Sequence, residues 1–422
     1  MPTGPEPRSI ANSGAGTKAA GRRERPSLEA RLLRRLLTSF GDPPIEFELA
    51  WTGERIAPDG RQPAERVRIA DRSTLRGLLR DAQLRFGDAY STGRIEVEGD
   101  LVRFMETVFR TLGSSDPRDS IANRVAGWLH RPRRNTLAGS RDNIHQHYDL
   151  GNDFYSLWLG QTMAYTCAYY RSATAVLDEA QVAKMEHVCR KLRLRAGDSV
   201  VEAGCGWGGL ALHMARRHGA KVRAFNISKE QVEFARRRAR EEGLDRLIEF
   251  IEDDYRNIQG TYDVFVSVGM LEHVGADHYS ELGRVVSRSL GDAGRGLIHS
   301  IGRNRPGPLH PWIERRIFPG AYPPSLGEMM QIFEPSSLSV LDVENLRLHY
   351  VRTLRHWLER YEAALDKVRS MFSDESFVRM WRLYLSGSIA AFETGVLQLF
   401  QVLFTKQDNN AIPLTREYMY PK

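Results

Sequence analysis

Glycine recurs at every second position of "AGCGWGG", as Gly204, Gly206 and Gly208, directly after the apolar run "VVEA". That spacing lets a backbone turn tightly and come close to a ligand. A helix opening after the loop would face the ligand with unpaired N–H groups and a partial positive charge. The third glycine falls one residue earlier than in the dinucleotide fingerprint G-x-G-x-x-G. Glu202 stands just before the loop, which suits a ligand with an amino group as well as a carboxylate, such as S-adenosylmethionine. The pattern G-x-x-x-x-G-K-[ST] is absent from the loop, which argues against ATP phosphates. After the next apolar run, "FNISKEQ" offers Asn226 and Gln231 to a ribose at a sheet crevice. The run after that ends in "EDDYRN", where Asp253 or Asp254 could meet an adenine amino group.

A second stretch, "YTCAYY", sets Cys167 among Tyr165, Tyr169 and Tyr170. The thiol could be a nucleophile, a metal ligand, half of a disulfide or a small filler. The chain has three cysteines, Cys167, Cys189 and Cys205, with no C-x-x-C spacing. That argues against a disulfide framework or a structural zinc site and fits a reducing cytoplasm. A reactive thiol needs a base or a positive charge beside it, and the motif supplies neither. His145-x-His147 lacks further ligands of the H-E-x-x-H type, so no metal is expected.

These residues need elements to hold them. From about residue 180, strands and helices alternate: "DSVVEAGCG", "LALHMARRHG", "AKVRAFNI", "SKEQVEFARRRAREEG", "IEFIEDD", "YDVFVSVGM", "DHYSELGRVVSRSL" and "GRGLIHSIG". Such alternation predicts an α/β fold, a doubly wound, mostly parallel, Rossmann-like sheet. Ahead of it, "SLEARLLRRLLTSF" has Leu28, Leu32, Leu33, Leu36 and Leu37 at helical spacing. The strand-like "IEFELAW" and "ERVRIA" follow, then a single helix over "STLRGLLRDAQLRFGDAY", and a strand, turn and helix over "GRIEVEGDLVRFMETVFRTL". The organisation predicted is a tail over 1–27, a small N-terminal α+β domain over 28–115, a basic linker over 116–142, and a catalytic domain over 143–422. Arg131, Arg133, Arg134 and Arg141 cluster in the linker, which reads either as a solvated connection or as a patch for anionic headgroups.

Lys and Arg total 60 against 53 Asp and Glu, a net charge of +7. That mild excess does not specify nucleic acid, and no aromatic-plus-basic base-reading motif is present. The apolar run from Leu383 to Phe404 is interrupted by Glu393, Gln398 and Gln401. It reads as a buried or cavity-lining helix and not as a membrane span. Membrane association is therefore expected to be peripheral.

In order along the chain, "HQHYDLGNDFY", "YTCAYY", "AGCGWGG", "SVGMLEHVG", "HSIGRN" and "IFPGAYPPS" resemble the cyclopropane-fatty-acid synthase family of S-adenosylmethionine-dependent methyltransferases. The resemblance runs from about Asn143 to Phe404. The N-terminal part resembles the accessory domain of bacterial phospholipid-modifying members and is read either as a packing or docking module or as a lipid-contacting domain. The resemblance implies an enzyme that adds a methylene from S-adenosylmethionine to a cis double bond of an unsaturated phospholipid acyl chain. It implies a carbocation on that chain, deprotonated by bound bicarbonate before a cyclopropane closes. By motif position, Cys167, Glu272, His299, Ile301 and Tyr350 would hold the bicarbonate. Tyr165, Thr166, Gly204, Gly206, Asn226, Ile227 and Gln231 would contact the methyl donor.

Thr166 stands where serine is usual in the family, Asn226 where threonine is frequent, and Tyr170 in place of a larger or less polar aromatic. Glu272 and His299 each follow a predicted strand, on the side where open parallel sheets bind ligands. Tyr165, Tyr169, Tyr170, Trp207 and Tyr350 are candidates to face a developing cation. His147 and Tyr148 are expected in an active-site lid, and the late helices around an acyl channel. The expected setting is the inner face of a membrane, reached from the cytoplasm, and the two-domain plan is compatible with a homodimer. Alternatives are a 10-methylene product from the same family chemistry and a methyltransferase for a soluble small molecule.

Overall fold

The protein is described by a computed structural model covering residues 26–58, 60, 62–114 and 150–420. The tail, the basic stretch with Arg131, Arg133, Arg134 and Arg141, and His145, His147 and Tyr148 lie outside the described residues.

The N-terminal part opens with α1 (Leu28–Ser39), whose buried stripe is Ala30, Leu33 and Leu37. The Ser27 hydroxyl accepts from the Ala30 N–H and caps it. Strands β1 (Ile45–Leu49), β2 (Glu54–Ile56), β3 (Glu65–Ile69) and β4 (Ile95–Glu98) form a sheet in the order β2-β1-β3-β4. Only the β1–β3 pair within it is parallel. The single helix expected over "STLRGLLRDAQLRFGDAY" is two, α2 (Arg72–Arg80) and α3 (Ala82–Ser91). Asp81 leaves the helical region at φ −156° and accepts from the Leu84 N–H, so it ends one helix and caps the next. Helix α4 (Leu101–Ser114) completes this part.

The second part is built on a seven-stranded sheet in the order β10-β11-β9-β8-β5-β6-β7. Its strands are β5 (Ser199–Ala203), β6 (Lys221–Asn226), β7 (Ile248–Glu252), β8 (Tyr262–Val268), β9 (Leu290–Gly302), β10 (Leu338–Asn345) and β11 (Gln398–Lys406). Pairs β5–β6, β6–β7, β5–β8 and β8–β9 are parallel, and β11 runs against both β9 and β10. The chain leaves β5 for β6 on one side and reaches β8 on the other. The crevice at their carboxyl ends is therefore the switch point where such sheets bind ligands.

Helices α5 (Asn152–Leu159), α6 (Leu177–Lys191), α7 (Gly209–His218), α8 (Lys229–Glu241), α9 (Tyr279–Ser289), α10 (Pro311–Arg316) and α11 (Leu326–Phe333) follow in chain order. Then come α12 (Arg347–Ala363), α13 (Leu365–Phe372) and α14 (Glu375–Glu393). Trp158, Trp357 and Trp381, from α5, α12 and α14, bury their indoles together.

The apolar run Leu383–Phe404 is not one helix. It is the end of α14 and most of β11. Gly395, at φ +80°, takes the left-handed conformation after the cap residue Thr394, and this stops the helix. A wholly buried strand carries no alternation, which is why its periodicity was that of a buried helix.

Candidate active site

The turn from β5 into α7 carries the three glycines at φ +81°, +53° and +79° for Gly204, Gly206 and Gly208. Two of them are required by packing. A Cβ on Gly204 would come 2.7 Å from Met270 Cβ, and one on Gly208 2.7 Å from Phe250 Cζ. A Cβ on Gly206 would meet nothing within 4 Å, so that glycine leaves space for a ligand. The Gly204 and Cys205 N–H groups donate to Phe225 O at 2.9 and 3.1 Å, which fixes the loop to the end of β6.

A cavity of about 140 Å³ lies against this loop. It gathers Tyr165, Thr166, Glu202, Gly204, Gly206, Asn226, Ile227, Gln231 and Asp254, every position expected to contact the methyl donor. Asp253 lines it too. Asn226 Nδ2 donates to Gly206 O at 3.2 Å and to Gln231 Oε1 at 2.7 Å, so this pair braces the loop. Asp254 Oδ2 is 3.0 Å from Arg256 Nη1, which balances its charge.

Glu202 is buried, and burial pushes its carboxyl pKa up to about 8. Its Oε2 has no hydrogen-bond partner among the described residues. An ammonium group on a ligand would supply one, so the donor set fits the amino-acid end of S-adenosylmethionine. Lys184, on α6, is also buried, and burial depresses its pKa, opposed by Cys167 and Glu202. Its Nζ donates to Thr166 Oγ1 at 2.9 Å. Gln181 Nε2, one turn earlier, donates to Thr166 O at 2.8 Å. Both side chains hold the "YTCAYY" turn against the cofactor cavity, and sequence reasoning passed over both. The signal was there: Lys184 falls between Ala180 and Val188 on the buried stripe of α6.

A second cavity, of about 1270 Å³, is lined by all five positions expected around a small anion: Cys167, Glu272, His299, Ile301 and Tyr350. The Ile301 N–H donates to Glu272 Oε1 at 2.6 Å, so that amide orients the carboxylate. Burial pushes Glu272 up to about 7, opposed by this hydrogen bond. Burial pushes His299 down to about 3, so its ring is neutral. Gln401 Nε2, on β11, lies 3.0 Å from His299 Nδ1. With the amide donating, the ring proton sits on Nε2. Glu272 Oε2 and His299 Nε2 both lack partners among the described residues. The first, when ionised, needs a donor and the second needs an acceptor. An oxyanion with one O–H and bare oxygens, as in bicarbonate, satisfies both.

Cys167 Sγ donates to Ala168 O at 3.1 Å, and burial drives its pKa far up. The side chain lines the cavity, and its burial disfavours the thiolate that a nucleophile needs. The two cavities share Tyr165, Thr166, Gly269 and His273. Of the five aromatic candidates, Tyr165, Trp207 and Tyr350 line a cavity. Tyr169 and Tyr170 line neither. Tyr169 stacks between His187 at 4.3 Å and His349 at 4.7 Å, and Tyr170 lies under the Arg352 guanidinium at 4.2 Å. They brace the turn through these ring contacts instead of facing a cavity.

The larger cavity extends away from the sheet between α12, α14 and the N-terminal part. Leu354, Leu383 and Ala391 line it on one side, and Leu33, Leu37 and Phe104 on the other.

The family model for mycolic acid cyclopropane synthetase matches residues 136–402. A probable fatty acid methyltransferase of Pseudomonas putida is 36% identical over 391 residues, 89% of this chain and 96% of that protein. Cyclopropane-fatty-acyl-phospholipid synthase of Escherichia coli is 35% identical over 369 residues, 86% of this chain and 93% of the relative. Among solved structures, the mycolic acid cyclopropane synthase CmaA1 complexed with SAH and CTAB superposes with a TM-score of 0.60 at 26% identity. That match covers 63% of this chain and 98% of the other.

Proposed function

The chain belongs to the mycolic acid cyclopropane synthetase family of S-adenosylmethionine-dependent methyltransferases, and on that premise we propose that it closes a cyclopropane on the acyl chain of a membrane phospholipid. The observation that carries the reading is the meeting of two cavities. One presents the unpaired Glu202 carboxylate beside the glycine loop, and the other is a large apolar channel with Glu272 and His299 at its inner end. They join at Tyr165, Thr166, Gly269 and His273.

When bound, S-adenosylmethionine supplies an electrophilic methyl carbon and bicarbonate a base for the proton that ring closure releases. The chain's own residues prepare the rest. Glu202 and the glycine loop would hold the donor's amino-acid end, while Lys184 and Gln181 set Thr166 at the junction. An alkene needs no deprotonation before it attacks, so no Ser-His-Asp arrangement is required. The cation left on the acyl chain must be kept from water, which the apolar channel lining does. Tyr165 packs with Trp158 and Trp357 at 5.2 and 5.4 Å and shares a 2.7 Å hydrogen bond with the Tyr384 hydroxyl. That cluster fixes its ring at the junction, where a π face stabilises positive charge. Glu272 Oε2 would accept from the bound base and His299 Nε2 would donate to it, which would orient it.

The substrate reading follows from the channel: its walls suit an alkyl chain, and the basic excess of the molecule suits an anionic membrane surface. No described helix is long and apolar enough to cross a membrane. The test is incubation with S-adenosylmethionine and vesicles of monounsaturated phospholipid, with and without bicarbonate. The released acyl chains are then read by mass and proton NMR. Gain of CH₂ with high-field ring protons, slowed by bicarbonate depletion, is the expected result. Gain of CH₂ with vinylidene signals would mean a methylene-branched product. No gain on several acyl chains would overturn the lipid reading.

A further inference from the structure

Helices α6 and α7 bring together four side chains that the reaction does not use. Glu186 and Cys189 lie one turn apart on α6, and His213 and His218 are on α7. Glu186 Oε2 is 3.2 Å from Nε2 of His213 and 3.2 Å from Nε2 of His218. Its Oε1 is taken by Arg190 Nη2 at 3.4 Å, which turns Oε2 toward the two rings. One ligand atom from each of Cys189, His213 and His218 lies within 4.8 Å of the other two. Cys189 and His213 are buried, whereas the side chains of His218 and Glu186 are 20% and 26% exposed. The cluster is thus walled by the core on one side and open to solvent on the other.

We propose that Glu186, Cys189, His213 and His218 form a tetrahedral site for a zinc-class divalent ion, separate from both cavities. Metal–nitrogen and metal–oxygen bonds of about 2.0–2.1 Å give tetrahedral edges of roughly 3.3 Å. The two edges from Glu186 to the imidazoles, at 3.2 Å, already have that length. The sulfur lies within 4.8 Å of one ring nitrogen on each histidine, against a tetrahedral edge of roughly 3.6 Å at a metal–sulfur bond of about 2.3 Å, so the Cys189 side chain must move inward to complete the figure. Thiolate with imidazole and carboxylate selects Zn²⁺ over the hard cations. Binding releases the Cys189 thiol proton to solvent and leaves four metal–ligand bonds with no redox change. The effect on the enzyme follows from the two helices. Helix α6 carries Gln181 and Lys184, which hold Thr166, and α7 starts at the glycine loop. An ion between them would clamp both walls of the smaller cavity.

The test treats the full chain with a chelator and titrates it with Co²⁺, then with Zn²⁺. Expected are a thiolate-to-cobalt charge-transfer absorption with tetrahedral visible bands, saturating at one ion per chain and displaced by Zn²⁺. Cys189→Ser should remove the charge-transfer band, and Cys205→Ser should keep it. His218→Gln, at a partly exposed position, should weaken binding by about 10-fold or more. It carries the test by itself should the serine variant not fold. Absence of the band in the unaltered chain, an octahedral cobalt spectrum, or a band that persists in folded Cys189→Ser would overturn the proposal. An affinity unchanged in folded His218→Gln would do the same.

Discussion

Single residues divide the proposed chemistry between two buried carboxylates. Glu272 has its pKa raised from the usual 4.5 to about 7, so it binds its proton more tightly folded than unfolded. Its contribution to stability is full below pH 4.5 and is lost as pH rises through about 7. Glu272→Gln should therefore raise the thermal midpoint at pH 8 and leave it unchanged at pH 4. The gain at pH 8 should be on the order of 2–3 kcal/mol. The same variant should lose nearly all turnover while still binding S-adenosylhomocysteine. Full activity in it would remove Glu272 from the reaction. Because the ionised form is the acceptor, kcat/KM of the unaltered enzyme should rise with pH through about 7. Glu202, pushed up to about 8, holds a proton at pH 7 that an arriving ammonium would displace. Calorimetry of S-adenosylhomocysteine binding in buffers of different ionisation enthalpy should show proton release. Glu202→Gln should abolish that release and weaken binding by roughly 1.5–3 kcal/mol. Cys167→Ser should keep substantial activity, since the thiol stays protonated. These residues were legible because motif order carried them. Gln401 was not, since it acts through one contact with His299, 102 residues away in the chain, whereas Lys184 was signalled only by its place on a buried helical stripe.

The elements explain which glycines can change. Gly208→Val would drive a side chain into Phe250 and Ala235, with positions 2.7 and 2.8 Å from the first added carbon. It should fail to fold well at any cofactor concentration. Gly206→Val meets open space on the protein side, so its fold should survive with a backbone penalty of about 1–2 kcal/mol. Its binding of S-adenosylhomocysteine should be lost, because the new side chain fills the cavity. A chain that folds and binds normally with valine at 206 would contradict the loop's role. The alternation from β5 to β9 could be read directly, since strand and helix periods differ. The reversed β11 could not. Only Gly395 marked where a helix gave way to a buried strand. The zinc-class cluster was hidden for a similar reason. Its residues are split between two helices, and only their packing supplies the spacing.

At the scale of the molecule, the N-terminal part is a wall of the larger cavity as well as a neighbour of it. Arg379 of α14 donates to Tyr90 O at 2.7 Å and to Ile95 O at 3.1 Å, tying the two parts together. Gly87 of α3 packs so closely on Trp312 of α10 that any Cβ there would collide with the indole. Gly387 faces this cavity, and a Cβ on it would come no nearer than 3.6 Å to Met105 Cε. Gly387→Phe should thus fill the channel. Turnover of long-chain lipid should fall by about 10-fold or more, while S-adenosylhomocysteine binding stays unchanged. Equal loss of both would mean that the fold, not the channel, had been altered. The N-terminal role was the least legible feature, because its channel residues are ordinary apolar side chains at helical spacing.

The lining of that channel sets an energetic balance with the bilayer. Moving an acyl chain into water costs about 0.8 kcal/mol for each methylene. A channel walled by leucine, phenylalanine and methionine instead offers the chain a medium like the one it leaves. With a membrane phospholipid as the proposed substrate, transfer would be nearly level, and the protein would act as a partition phase for one lipid tail. How often a tail reaches the reacting groups would be governed by how loosely the membrane holds it. The rate would thereby respond to lipid packing through the cavity itself.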